Sequence, residues 1–179
     1  MIKTIIMAAG EGTRMKSNKS KVLHKILNKE IIKYIVDASN FENSKTIIIG
    51  GKNHEILKDM FNDKVIIEQK IGPDCPYGTG YATSLAIDYI DDSDQVLVLN
   101  GDIPLIKKET LEKFISKHNE MKSACSILST IVTNPFGYGR IVRDADNNFL
   151  KIVEQKDLEE SELSINEINA GIYLSLIHI

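Results

Sequence analysis

The chain has 179 residues, 42% of them hydrophobic and 26% charged, which is the length of one α/β domain with a sizeable core and the composition of a soluble globular protein. A formal net charge of −3 argues against a nucleic-acid-binding surface, two cysteines (Cys75 and Cys125) imply no disulfide framework and point to a reducing cytoplasm, and four histidines without ligand spacing argue against zinc. The amino-terminal apolar run breaks too early for a secretory signal, and no stretch approaches the roughly 20 apolar residues that span a bilayer, so no membrane is expected.

Residues 2–7 are a short β-branched apolar run, the pattern of a parallel strand buried on both faces. The run ends in Ala8, Ala9, Gly10, Glu11 and Gly12, whose small side chains let backbone approach a ligand closely. Arg14 and then Lys21 follow. Exposed N–H groups in such a turn cradle an anion, and two cations add fixed positive charge, so a polyphosphate is expected here. The glycines alone fit a tight turn equally well. The loop is not a Walker motif, since no Gly-Lys-Ser/Thr follows, and a dinucleotide fingerprint would need a third glycine where Arg14 or Met15 stands.

Ile31, Ile32, Ile35, Val36 and Ala38 recur at helical spacing and predict a helix over 30–39. Residues 45–49 are a second buried strand closed by Gly50 and Gly51; a short helix is expected over 55–61 and a third strand over 65–67. Strands alternating with helices imply right-handed crossovers and a mainly parallel sheet, with ligands beyond the carboxyl ends of the strands. That rule puts the loop 8–21, Gly50-Gly51 and Gln69 on one edge. Residues 69–77 carry Gly72, Pro73 and Pro76 and form a loop. Gly78, Thr79 and Gly80 lead into a helix expected over 81–90, with Ala82, Leu85, Ala86 and Tyr89 on one face. Small residues at a helix start permit close backbone approach, and they also fit a plain turn.

The clearest strand, 95–99, runs into Asn100, Gly101 and Asp102. A carboxylate just past the carboxyl end of a central strand stands where metal–phosphate chemistry takes place, although a lone Asp after Gly is more often a turn residue. An amphipathic helix is expected over 108–122, with Leu111, Phe114, Ile115 and His118 inward, and a strand over 124–132. A turn rich in glycine and aromatics, 134–140, enters a strand at 141–143, a hairpin connection at 144–148 and a returning strand at 149–153. Taken alone, Glu154 reads as a surface ion pair with Lys151 or Lys156, and the acidic stretch 157–163 as a solvated face. A last strand starts at Glu167.

The string Ala8-Ala9-Gly10-Glu11-Gly12-Thr13-Arg14-Met15, with Lys21-Val22-Leu23-His24 behind it, closely resembles the signature of the sugar-nucleotide pyrophosphorylase family, in particular its bacterial uridylyltransferases specific for N-acetylglucosamine. The resemblance covers residues 1–173, with the motifs in the right order. It implies a Rossmann-like nucleotide-diphospho-sugar transferase fold, α/β, with a mainly parallel mixed sheet flanked by helices. It also implies a cytoplasmic nucleotidyltransferase that makes UDP-N-acetylglucosamine and pyrophosphate from UTP and N-acetylglucosamine 1-phosphate, for cell-wall precursor synthesis. Mg²⁺ is then the cofactor, and neither a nucleic-acid polymer nor a membrane is a partner.

By the same resemblance Arg14 holds the departing pyrophosphate and Lys21 stabilises charge at the α-phosphorus. Ala8, Ala9, Gly10 and Gly12 grip the nucleotide, Gln69, Gly78 and Thr79 read the base, Asp102 binds the metal, and Gly139, Glu154 and Asn169 contact the N-acetylglucosamine moiety. Ser20 stands where the family usually has Pro, Tyr81 where it has His and Ala170 where it has Thr, and the loop between Gln69 and Gly78 is longer than usual. A different sugar phosphate or nucleotide is one alternative. A catalytically inactive nucleotide-sugar-binding regulatory module is another, against which Arg14, Lys21 and Asp102 together argue. The family continues well beyond this length. The domain is expected over 1–173, and residues 174–179, which resemble a translated sequencing-adaptor read-through, are expected to be a non-native tail. The second metal ligand and any acetyltransferase β-helix are expected in a continuation, and a homo-oligomer is admitted for the full-length protein.

Overall fold

In the computed structural model, which describes residues 1–10, 12, 15–70, 72, 75, 76 and 78–176, the chain divides into two compact units. The first comprises residues 1–126 with the described part of 173–179, the second residues 127–172.

The first unit runs β1 (Ile2–Ala8), a small hairpin of β2 (Lys25–Ile26) and β3 (Lys29–Glu30), α1 (Ile31–Ala38), β4 (Ser44–Gly50), α2 (His54–Met60), β5 (Val65–Glu68), α3 (Thr79–Ser84), β6 (Gln95–Asn100) and α4 (Lys108–Met121). Its main strands lie in the order β5-β4-β1-β6, all parallel. Residues 173–176 pair antiparallel with β6. The register sets Ile5 beside Ile47 and Val98. Together with Ile49, Val96, Ala82 and Ala86 these make one buried cluster beneath α3. The alternating residues Ile6, Ile48 and Leu99 turn to the opposite face and are fully buried as well. Each such side chain contributes about 1.5–3 kcal/mol by leaving water. Burial on both faces is why continuous Ile and Leu runs make these strands.

The helix expected over 81–90 is divided. α3 starts at Thr79 and stops at Ser84, and a separate 3₁₀ turn spans Ile87–Tyr89. The Thr83 and Ser84 hydroxyls donate to the carbonyls of Thr79 and Tyr81 at 2.9 and 2.8 Å, local bonds through which Thr and Ser weaken a helix. Ala82 and Ala86 are buried, but Tyr89, expected inward, is 46% exposed. The β2–β3 hairpin was not expected either. Its turn holds Leu27 and Asn28 at φ 48° and 67°, left-handed values that Asn tolerates and Leu does not signal. Residues 174–176 lie in strand beside β6, and Leu174 is fully buried.

β7 (Cys125–Ile131), β8 (Arg140–Arg143), β9 (Phe149–Val153) and β10 (Glu167–Leu176) complete the strands. Within the second unit β8 and β9 form an antiparallel hairpin, Arg140 opposite Val153, and Ile168 of β10 faces Arg140. Asp144 makes the hairpin connection by accepting the N–H groups of Asp146 and Asn148 at 3.0 and 2.8 Å. The acidic stretch 157–163 is not wholly solvated. Glu162 is 7% exposed and pairs with Lys151 at 2.9 Å, and Glu159 and Glu162 close a capping box around a 3₁₀ turn. Burying one carboxylate against its own lysine removes it from a pattern that charge counting reads as surface.

Candidate active site

β1 ends at Ala8, with Ala9, Gly10 and Gly12 just beyond it, and β6 ends at Asn100, ahead of residues 101–107. These two neighbours mark the point where the strand order reverses, which is where open α/β sheets take ligands. Gly101 draws the two strand ends together. Its N–H donates to the Met7 carbonyl at 2.8 Å. A Cβ there would stand 2.8 Å from the same oxygen and 3.1 Å from Val22 Cγ1, so glycine alone fits without moving backbone. Asp102 is thereby held beside the end of β1.

Lys21 comes from the other side. The 3₁₀ turn Lys21–Leu23 is anchored by Val22 and Leu23, 0% and 4% exposed, which leaves the lysine to cross the crevice. Its stem lies over the loop glycines. A Cβ at Gly12 would be 3.1 Å from Lys21 Cβ, and one at Gly10 would be 3.4 Å from Cε. Gly12 also adopts φ 63°, a left-handed conformation glycine takes freely. The ammonium ends 2.5 Å from Asp102 Oδ2, with the two side chains 31% and 37% exposed. An ion pair so exposed adds little to stability. Its meaning is positional: a cation and a carboxylate meet over the crevice.

Gln69 follows β5 and is only 4% exposed; its N–H donates to the Gly50 carbonyl at 2.7 Å. With Lys21 and Asp102 it lines a cleft of about 160 Å³, together with Met7, Ala9, Gly10, Gly78, Thr79 and Asn100. Gly78 has φ 116° and nothing within 4 Å of a Cβ position, so backbone angle and not crowding calls for glycine there. A cavity of about 440 Å³, walled by Ile87, Ile90, Val96, Val98 and Tyr173, has no charged side chain among its described lining residues. A polyphosphate suits the polar cleft.

The structure therefore brings Ala9, Gly10, Lys21, Gln69, Gly78, Thr79 and Asp102 to one place. Ala8 is fully buried at the end of β1, with its carbonyl accepting from Asn53 Nδ2 at 3.2 Å. Gly12 supports the Lys21 stem. Arg14 lies outside the described residues. Two residues were missed by the sequence reading, Asn100 on the cleft and Asn53, which bonds Ala8 and Ser20 beside it. Asn100 had a signal, a polar residue ending an otherwise apolar strand; Asn53, in the turn before α2, had none.

Among the described residues no group of three or more His, Cys, Asp and Glu side chains could hold a metal ion. A single carboxylate suits Mg²⁺, which keeps waters and completes its shell with substrate phosphate oxygens. Asp102 already accepts one positive charge, the Lys21 ammonium, so its chemistry fits a cation.

Gly139, Glu154 and Asn169 fall in the second unit and lie close together. The Asn169 N–H donates to the Gly139 carbonyl at 2.9 Å, and a Cβ at Gly139 would stand 3.2 Å from Glu154 Oε1. Lys151, one of the partners considered for Glu154, is engaged by Glu162. Arg140, unread in the sequence, is 2% exposed and donates to the Tyr138 carbonyl and to Gln155 Oε1. Gln155 Oε1 also accepts the Gly137 N–H at 2.8 Å. These bonds hold the turn that precedes Gly139.

A family model described as nucleotidyl transferase matches residues 3–175. The chain is 46% identical over 172 residues to the bifunctional protein GlmU of Clostridioides difficile, covering 96% of this chain and 37% of that protein. It is 40% identical over 173 residues to the bifunctional protein GlmU of Caldanaerobacter subterraneus subsp. tengcongensis, with coverage of 96% and 37%. Against the bifunctional protein GlmU of Alcanivorax borkumensis it is 43% identical over 169 residues, with coverage of 94% and 36%. The chain thus spans little more than a third of the length of these relatives.

Proposed function

The chain belongs to the nucleotidyl transferase family, and on that premise we propose that it joins UTP to N-acetylglucosamine 1-phosphate, giving UDP-N-acetylglucosamine and pyrophosphate. The observation that carries this reading is the meeting of Lys21 and Asp102, 81 positions apart in sequence, over the crevice beyond β1 and β6. The identity to proteins named GlmU supports it.

In the proposed reaction a phosphate oxygen of the sugar substrate attacks the α-phosphorus of UTP in line. The new P–O bond forms as the bond to the β-phosphate breaks, and the electron pair leaves with pyrophosphate. No protein nucleophile takes part, so the residues supply position and charge. Lys21 exchanges Asp102 for the α-phosphate oxygens, where negative charge grows, and Arg14 takes the pyrophosphate. Asp102 holds Mg²⁺, which when bound neutralises charge on the phosphate oxygens. Gln69, Gly78 and Thr79 serve the uracil, and Ala8, Ala9, Gly10 and Gly12 shape the phosphate loop. Gly139, Glu154 and Asn169 serve the sugar. A cytoplasmic reaction is part of the proposal, on the resemblance alone; no helix among the described residues is long and apolar enough to cross a membrane.

Pyrophosphate release by the full-length protein, over a panel of nucleoside triphosphates and sugar 1-phosphates, tests the proposal. A site that bonds the acetamido group rejects the analogue lacking it, so N-acetylglucosamine 1-phosphate should exceed glucose 1-phosphate by at least about tenfold. Equal rates would replace this substrate by a broad sugar specificity. Normal turnover by a folded Lys21→Ala variant would remove Lys21 from the mechanism.

A further inference from the structure

We propose that Asn53 is a positioning residue for Lys21, acting as a staple that ties both ends of the phosphate loop to the turn before α2. The inference rests on the reading of Lys21 as the phosphate-facing cation. Asn53 is 6% exposed, and its carboxamide is engaged at both ends. Oδ1 accepts the Gly51 N–H at 2.9 Å, while Nδ2 donates to the Ala8 carbonyl and to Ser20 Oγ, each at 3.2 Å. Ala8 is the last residue of β1, and Ser20 immediately precedes the 3₁₀ turn that starts at Lys21. One side chain thus spans the end of β1 at Ala8 and the residue that opens the turn carrying Lys21.

Asn53 sits at the amino-terminal cap of α2, where Asn ordinarily bonds its own helix. Here its side chain makes no capping bond and turns to the loop instead. Its donor group serves two segments distant in sequence, and removing it frees both. Ser20 O also accepts the Leu23 N–H at 3.0 Å, so the placement of Ser20 sets the start of the turn and the origin of the Lys21 side chain. From that origin the ammonium reaches Asp102. A staple on Ser20 therefore controls where the cation points without touching substrate.

Ser20 has φ −54° and ψ 138°, values within reach of proline's fixed φ of about −65°. Proline at this position would restrain the same backbone covalently and make the Asn53 bond to Oγ redundant. This supplies a test that general weakening of the fold cannot imitate. Four full-length proteins are compared: wild type, Asn53→Ala, Ser20→Pro and the double variant. In the wild-type background Asn53→Ala should lower kcat about tenfold, because small misplacements of a charge contact cost that much. KM for UTP should change by a smaller factor than kcat, since Gln69, Gly78 and Thr79 stand on other segments and only the contacts at Ala9 and Gly10 loosen with Asn53. In the Ser20→Pro background the same substitution should cost less than about threefold in kcat.

Equal losses in the two backgrounds would overturn the proposal, as would unchanged kcat in Asn53→Ala. Should Asn53→Ala fail to fold, Ser20→Ala removes one of the three bonds; it should lower kcat in the same sense, and no loss would refute the staple. Amide hydrogen exchange over residues 16–22 separates this inference from the proposed reaction. Exchange there should quicken at least about tenfold in Asn53→Ala and slow again with Ser20→Pro. If the wild-type protein released no pyrophosphate, the proposed reaction would fail. Unchanged exchange over 16–22 would sink the staple, whatever the activity.

Discussion

Gly101→Ala isolates the contact that draws the ends of β1 and β6 together. The added methyl would lie 2.8 Å from the Met7 carbonyl oxygen, 3.1 Å from Val22 Cγ1 and 3.3 Å from Ala8 Cα. Two of these three atoms belong to the backbone of β1 and cannot swing aside as the tip of a side chain does. Relief must come from tilting the loop 101–107 or lengthening the 2.8 Å bond from the Gly101 N–H. Overpacking of this kind costs about 1–3 kcal/mol, and a weakened buried hydrogen bond adds up to about 1 kcal/mol. With a urea dependence of about 2 kcal/mol per molar, the unfolding midpoint should fall by about 0.5–2 M. Asp102 moves with the loop, so pyrophosphate release should fall by more than about tenfold under conditions where the variant stays folded. Gly80→Ala is the internal comparison. It lies in α3 with nothing within 4 Å of its Cβ position, and alanine should raise stability there by about 0.5–1 kcal/mol. Urea unfolding followed by circular dichroism reads both variants. A Gly101→Ala midpoint no lower than that of the wild type would refute the claim that this glycine is required by close approach.

Lys3 and Asp94, 7% and 4% exposed and 3.2 Å apart, form a buried pair near the amino ends of β1 and β6. Asp94 keeps the Met1 ammonium at 3.3 Å and the Asp91 N–H at 2.9 Å when the lysine is lost. Lys3→Met should therefore destabilise by about 1–2 kcal/mol in urea unfolding, less than the roughly 3–5 kcal/mol of a fully orphaned buried charge. Bonds from Arg143 at 2.7 and 2.8 Å hold the Glu167 carboxyl below its usual range, against its partial burial. A depressed folded pKa contributes stability above the unfolded value and loses it as pH falls through the folded one. Thermal midpoints should therefore drop below about pH 4, and Glu167→Gln should flatten that arm. Lys21→Met removes an ammonium 2.5 Å from Asp102, so Mn²⁺ binding measured by electron paramagnetic resonance should tighten. Unchanged affinity would show that Asp102 is not the cation's ligand.

The returning strand read at 149–153 coincides with β9 (Phe149–Val153), and the amphipathic stretch 108–122 yields α4, with Leu111, Ile115 and His118 buried. Both signals are local: a period of two or of 3.6 is written in the residues that carry it. The division of α3 escaped this logic because hydroxyl-to-carbonyl bonds of Thr83 and Ser84 oppose the helical period without altering its apolar spacing. Glu162 escaped it because burial depends on a lysine arriving from β9.

From sequence alone came the α/β class and parallel character of the main strands, the bare loop after the first strand, and Asp102 at the carboxyl end of a strand. Strand neighbours did not follow. Residues 44–50, 65–68 and 95–100 are all apolar enough to lie beside β1, and only the folded chain puts β4 on one side of it and β6 on the other. That choice decides whether Lys21 and Asp102, 81 positions apart, come within 2.5 Å, and it also turns Asn53 toward Ala8 and Ser20. A hydrophobic run specifies that a segment will be buried, since transfer from water depends on its own surface. It does not specify beside what, because pairing and close packing are properties of two segments at once.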